Sequence, residues 1–422
     1  MEGRAHRVCG ASAVAAALAC VAGPALAQTY DRGRNVSVTE RSRPDYEAAG
    51  ARLGGFLLYP RVQANAEATD NLLARQDDEV GDLLLRLAPE VRLQSDWSRN
   101  AVSLFARAAH NRALDTSSER WTDYGLGGEG RLQLGEALVT AGAELGRATE
   151  ERTETNARRD AVEPNQFDTA RLFVRGQQTL ARSRLSGGLE WRTADFEDNR
   201  DRLGRRIEQD DRDLDFTQAL VKYEYGISPA LAVFGEARAN TRRYDQPPPG
   251  SASKRDSDGA ELAGGVNFDL SELARGEVLV GYTRQDYDAA TLGEVSGLTV
   301  RTRVEYFPSE LTTVTADLRR RVEDASTEVV AGYLATDFSL QADHELRRNV
   351  ILTARLALGQ DDFEAVDRDD RRLGLTLSGV YLLNRRVGLR LSYAHLQLDS
   401  SGRSAVQGYT VNRIILGTVV QF

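Results

Sequence analysis

Cysteine, lysine and long apolar runs are nearly missing from this sequence. Its only two cysteines, Cys9 and Cys20, lie within the first 27 of 422 residues, so the remainder can form neither a disulfide framework nor a thiolate metal site. Beyond that segment no stretch has the roughly 20 apolar residues of a membrane-spanning helix. The lysines are Lys222 and Lys254 alone, and the formal net charge is −9. That charge argues against a nucleic-acid partner, which requires a basic surface.

Residues 1–27 have the pattern of a signal peptide. Arg4 and Arg7 form a positive start, residues 11–22 are apolar, and Ala25 and Ala27 provide the small residues of a cleavage site. We therefore predict cleavage after Ala27 and export of the chain. A lipoprotein signal at Cys20 is the less favoured alternative.

The chain after the signal divides into a polar leader and a long alternating region. Residues 28–54 are charged and aperiodic, which predicts a mobile periplasmic leader. From 55 to 422, apolar and charged residues alternate, as in Leu85, Arg86 and Leu87, so each segment has one apolar and one charged face. The segments run for 12 to 16 residues, whereas strands of soluble proteins run for about 3–10. This pattern predicts an all-β fold, a transmembrane antiparallel up-and-down β-barrel.

The number of segments predicts about 18 strands, with 16 or 20 as alternatives. Short turns such as Gly135-Glu136 alternate with long polar loops such as 150–165 and 244–256. Outer-membrane barrels have short periplasmic turns and long external loops. We therefore expect both chain ends in the periplasm, and closure of the barrel, because an open sheet edge in lipid leaves backbone groups unpaired.

Two elements near the start carry a resemblance to a known family. The segment Arg41-Ser-Arg-Pro-Asp-Tyr46 is followed by Gly54-x-Phe56-x-x-x-Pro60 and by Asp70-Asn71. These motifs resemble the opening of the putative beta-barrel porin 2 family. The resemblance implies an outer-membrane barrel, in some bacteria encoded beside exopolysaccharide synthesis and export genes, and it brings no catalytic residues.

Charged residues that alternate with the apolar ones should face the barrel interior. An interior of about 18 strands is too wide for side chains to fill and leaves an aqueous channel. Either these charges make the channel selective for its solute, or they form neutralising pairs in a hydrated lumen that has no specificity. The predicted pore-lining residues are Arg86, Arg92, Arg107, Arg171, Arg175, Glu190, Arg192, Glu236, Arg238, Arg301, Arg303, Glu305, Arg355 and Arg390.

The end of the chain has the pattern of an assembly signal. Gly417, Val420 and Phe422 belong to an alternating segment that ends on an aromatic residue. Such an ending resembles the signal that the outer-membrane barrel assembly machinery recognises. Acidic loop residues, among them Asp361 and Asp362, are expected at the outer rim, where solvation is the default and divalent ions could link them to lipopolysaccharide.

Motifs that would indicate catalysis or a cofactor lie in unsuitable places. Residues 125–130 match G-x-G-x-x-G but fall within an alternating segment with no helix after it, so we predict no nucleotide site. His110, His344 and His395 share the parity of lipid-facing residues and should lie outside the lumen. We therefore predict no catalytic residue, no metal site and no cofactor.

The sequence thus predicts a porin-like channel for hydrophilic solutes, with polysaccharide as one candidate, in the outer membrane of a Gram-negative bacterium. The alternative is a non-conducting accessory or scaffold subunit of an exopolysaccharide export system. A hydrolase at the rim is a third and weaker hypothesis. Expected partners are outer-membrane lipid and lipopolysaccharide, the assembly machinery, and exopolysaccharide export proteins, but not nucleic acid.

Overall fold

A computed structural model describes residues 36–270, 273–325, 332–363 and 366–422, and the signal peptide lies outside these ranges. Within them no helix is long and apolar enough to cross a bilayer. Eighteen long strands form the barrel: β1 Phe56–Thr69, β2 Asp82–Ser95, β3 Ala101–Ala113, β4 Arg120–Leu134, β5 Ala137–Thr149, β6 Gln166–Leu180, β7 Ser183–Phe196, β8 Leu214–Ser228, β9 Leu231–Tyr244, β10 Ser257–Leu270, β11 Ala274–Tyr287, β12 Glu294–Ser309, β13 Thr312–Asp324, β14 Gly332–Arg347, β15 Val350–Asp362, β16 Asp369–Leu382, β17 Val387–Ser401 and β18 Tyr409–Gln421.

The strands form a closed antiparallel barrel. Each strand pairs with the next along the chain, and β18 pairs with β1. The predicted fold and the count of 18 are confirmed. Connections after even-numbered strands have two to five residues, and those after odd-numbered strands have six to 17. We call the two ends of the barrel the short-turn end and the long-loop end.

The two faces of the barrel differ as a bilayer requires. Large apolar side chains such as Leu189 and Leu262 are 58% and 72% exposed on the outer face. Glu236 and Asp343 are buried on the opposite face. Lipid accepts apolar side chains, whereas charged ones must find water or partners inside. Alternation along each strand therefore fixes which residues face the lumen.

The β13–β14 hairpin leaves the wall near the long-loop end. Its ladder with β12 ends at the pair Val300–Arg320. Beyond that pair, Val322 and Leu334 pack against Tyr287, which belongs to the inner face of β11. This part of the hairpin therefore bends into the lumen. We call residues 321–324 and 332–337 the inner hairpin.

Part of the leader occupies the short-turn end of the lumen. Val38 is fully buried, and its N–H donates to Thr313 Oγ1 at 3.0 Å. Arg43 Nη2 lies 2.7 Å from Glu345 Oε2, and both side chains are buried. Arg41 pairs with the same carboxylate at 3.4 Å. The leader was expected to be mobile, but these inward-facing partners, Thr313 and Glu345, hold its described part.

Candidate functional site in the barrel lumen

The predicted inward charges all lie on the inner face of the barrel. Some of them remain open to water: the side chain of Arg107 is 58% exposed although it pairs with Glu144 at 2.5 Å. Arg303 is 49% exposed and pairs with Glu305 at 3.2 Å. Arginine side chains with this exposure on an inner face indicate a hydrated lumen.

One cluster of these charges joins strands β9, β10 and β12. Arg301 lies 3.0 Å from Glu236 and 3.1 Å from Glu261, and Arg238 lies 2.7 Å from Glu236. Thr299 Oγ1 donates to the second oxygen of Glu261. Sequence alternation predicted three of the four charged residues and missed Glu261, which has the same inward parity as its neighbours.

A second cluster joins β6 and β7. Arg171 and Arg175 both donate to Glu190 Oε2, at 2.6 and 3.3 Å. Arg192 lies on the same strand as Glu190 but has no ion pair within the part of the chain that the structure describes. Its guanidinium lies over the ring of Phe216, 4.2 Å from the centroid. The other predicted residues lie outside both clusters: Arg86, Arg92, Arg107, Arg303, Glu305, Arg355 and Arg390.

The loop 150–165, between β5 and β6, crosses the lumen. Its anchor is Arg152, whose guanidinium lies 2.6 Å from Glu119; the side chains are 6% and 1% exposed. Arg152 also donates to the carbonyl oxygens of Ala161 and Val162. One buried cation therefore fixes both arms of the loop.

The far end of this loop reaches the opposite wall. Thr155 Oγ1 donates to Asp361 on β15 at 3.2 Å, and Asn156 donates to the carbonyl oxygen of Asp324 at 2.9 Å. The hydroxyl of Tyr409, on β18, donates to Thr153 O. Strand β15 lies eight strands from β5 and nine from β6 in a ring of 18. The loop therefore spans the lumen across its diameter.

The inner hairpin contacts the same loop inside the lumen, through Asn156 and Asp324. Asp324, beside Asn156, forms an ion pair with Arg242 of β9. Arg255 donates to the carbonyl oxygen of Ala325. We call the loop 150–165 and the inner hairpin together the septum.

Asp361 is the next-to-last residue of β15, at the long-loop end, but the expectation that it is solvated there was wrong. Its side chain has no exposed surface, because Arg372 holds it at 2.6 Å and Thr155 donates to it from the septum. Asp362, the next residue, is exposed. Sequence composition alone could not separate the two, since both are acidic residues at the end of a strand.

Several acidic groups in the long loops have perturbed pKa values, and Glu154 and Asp213 are two of them. Burial, with Glu150 and Glu151 nearby, raises the pKa of Glu154 well above its usual range. Burial, together with neighbouring aspartates, raises the pKa of Asp213 to about 6. Asp213 Oδ1 accepts the N–H of Phe196 at 2.6 Å. Both shifts favour the neutral carboxyl, which lowers the negative charge of this end at mildly acidic pH.

A cavity of about 400 Å³ lies between the septum and the wall formed by β7 to β9. Aromatic rings of Phe196, Phe216, Tyr244 and Tyr333 form part of its lining. Its other prominent component is a set of arginines: Arg192, Arg212, Arg242, Arg255, Arg321 and Arg372. Only Arg192 was among the residues predicted from alternation, since the others lie in loops or near strand ends.

The glycine-rich motif and the three histidines, which we did not predict to form a site, lie in the barrel wall or on its outer face. Residues 125–130 lie within β4. There, a Cβ at Gly127 would meet the Phe105 ring at 2.7 Å, so the missing side chain makes room for that ring. His110, His344 and His395 have outward parity, and each forms a hydrogen bond with a side chain on a neighbouring strand.

The proposed assembly signal lies where the barrel closes. Gly417 faces Arg390 on β17 and Asn65 on β1. Val420 has outward parity, and the N–H of Phe422 donates to Pro60 O. The predicted cleavage residues Ala25 and Ala27 lie outside the described residues.

A family model described as putative beta-barrel porin 2 matches residues 43–422. The chain belongs to the putative beta-barrel porin 2 family. This confirms the resemblance of the opening motifs. Family and fold together imply an outer-membrane location and a porin-like function, which points to a channel rather than to an enzyme. None of the curated proteins compared with the chain matches it.

Solved structures from Pseudomonas aeruginosa resemble this porin-family chain only distantly. OpdL has 14% identity, covers 88% of this chain and 100% of its own, and gives a TM-score of 0.45. OccK2 (OpdF) has 12% identity, covers 86% and 98%, and gives 0.47. A mutant of the ferric enterobactin receptor PfeA has 8% identity, covers 86% and 80%, and gives 0.47.

Proposed function

We propose that this protein is an outer-membrane channel for hydrophilic solutes, narrowed at its long-loop end by the septum. The observation that carries the proposal is the charged, solvent-exposed inner face behind an apolar outer face, represented by Arg107 at 58% exposure. A solute with hydroxyl or charged groups finds polar partners along such a wall, and an apolar solute does not. Polysaccharide remains one candidate solute, supported by the family resemblance.

The septum also supports a second function of another class. A loop that crosses the full diameter, held by the buried pair Arg152–Glu119, could keep the barrel closed. In that case the protein would be a non-conducting accessory or scaffold subunit of an exopolysaccharide export system. Its partners would then be export proteins at the periplasmic opening.

The environment follows from the same proposal. Long loops should face the outside of a Gram-negative cell and contact lipopolysaccharide, while the short-turn end faces the periplasm. Outer-membrane lipid should surround the apolar face, after insertion by the barrel assembly machinery.

Single-channel recording of the purified protein in planar bilayers separates the two functions. A channel gives steady current steps from the unmodified barrel. The control replaces residues 151–162 by a short Gly-Ser linker, which removes the crossing loop but leaves all strands. If the unmodified barrel gives no current and the control conducts, the result favours the scaffold.

A further inference from the structure

We propose that the cavity beside the septum binds the carboxylate of an anionic sugar, such as a hexuronate, and that Arg192 is its main contact. This inference deepens the proposed channel function and rests on it. The cavity volume of about 400 Å³ lies within the range of ligand pockets, about 300–1,000 Å³.

Arg192 differs from the other arginines of the cavity in its partners. Among the described residues it has neither a hydrogen bond nor an ion pair, and it contacts the Phe216 ring. Each of the other five has a carboxylate partner: Arg212 has Glu150, Arg242 has Asp324, Arg255 has Asp211, Arg321 has Asp337, and Arg372 has Asp337 and Asp361.

The carboxylates nearest to Arg192 are already engaged. Glu190 accepts from Arg171 and Arg175, at 2.6 and 3.3 Å. Glu323 pairs with Arg321. A partly buried cation that no neighbour neutralises is costly, and an anionic ligand would remove that cost.

The register of the wall places a second cation close to the first. Arg192 lies directly opposite Phe216 on β8, and Phe216 lies opposite Arg242 on β9. With strands about 4.7–4.9 Å apart, the two arginines project from backbone positions about 10 Å apart. The Nε atoms of both are buried without a hydrogen-bond partner among the described residues.

This arrangement fits a sugar acid better than a neutral sugar. Guanidinium groups bind carboxylates through two parallel hydrogen bonds, which gives both strength and orientation. Rings such as Phe216 and Tyr244 offer apolar surface to the carbon face of a sugar. Glu154 also lines the cavity, but its raised pKa favours a neutral carboxyl that competes weakly for the cations.

Calorimetric titration of the full barrel in detergent with D-galacturonate tests the site, and D-galactose is the neutral control. Arg192→Gln should weaken galacturonate binding about 10-fold or more, the effect of losing hydrogen bonds to a charged group. Arg243→Gln is the matched control: it removes the same charge from the outer face, where Arg243 pairs with Asp258. This control should bind as the unmodified protein does.

Three results would overturn the inference: no galacturonate binding by the unmodified barrel, equal binding of galactose, or unchanged binding by Arg192→Gln. If that variant fails to fold, Arg192→Lys keeps the charge without the planar fork and should still weaken binding. Titration requires no current. If the barrel binds galacturonate but gives no current, only the proposed channel function is contradicted. If it conducts but does not bind galacturonate, only the proposed binding site is contradicted.

Discussion

Arg355 and Leu356 are neighbours on β15 whose replacement should have opposite consequences. Leu356 lies opposite Leu340 and Leu375, which share the outer face. Arg355 donates to Ser339 Oγ on the inner face, at a long 3.4 Å. Leu356 is the middle residue of this 13-residue strand. At about 3.4 Å per residue and a tilt of about 45°, it lies about 14 Å from either end along the bilayer normal.

The depth of Leu356 in the bilayer determines how much its replacement by arginine should destabilise the barrel. Leu356→Arg places a cation near the bilayer midplane, which costs about 2–4 kcal/mol of folding free energy. Arg355→Leu removes one long hydrogen bond from a side chain already exposed in the lumen, so it should cost about 1 kcal/mol or less. The same variant should shift ion selectivity toward cations, because neighbouring lumen charges set the local field.

Reversible unfolding in phospholipid vesicles, followed by tryptophan fluorescence, measures both free energies. Reversal potentials in a salt gradient measure selectivity. The reasoning fails if Arg355→Leu is the more destabilising change and selectivity stays the same, since a one-residue register shift would exchange the two faces.

Three further predictions concern Arg152, Asp213 and Phe422. Arg152→Leu leaves Glu119 buried without its cation, which should destabilise the position of the crossing loop by about 3–5 kcal/mol. The loop should then leave the lumen more often, and the mean single-channel conductance should rise. Unchanged conductance would show that the loop does not depend on this pair. Because the pKa of Asp213 is raised, its loop should lose stability, and therefore hydrogen-exchange protection, as pH rises from about 4 to 6. Asp213→Asn should abolish this loss of protection. An unchanged dependence of protection on pH in the variant would contradict the prediction. Deletion of Phe422 should slow insertion, and an unchanged outer-membrane yield would count against this.

The strands and their facing follow from the sequence alone. A strand alternates its faces with a period of two, and lipid rejects charge on one of them, so Leu189 and Glu190 had to face opposite sides wherever the strand lay. Closure was equally determined, because an open edge in lipid leaves backbone groups unsatisfied. Neither conclusion requires knowledge of distant residues.

Only the tertiary structure decided what the lumen contains. Thr155 meets Asp361 across 206 positions of sequence, and the inner hairpin reaches Arg242 after leaving the wall. Loops have no periodic pattern, so their course depends on which distant groups can satisfy their buried polar atoms. For the same reason the sequence placed Arg192 on the inner face but could not indicate that its neighbours' carboxylates would pair with other arginines.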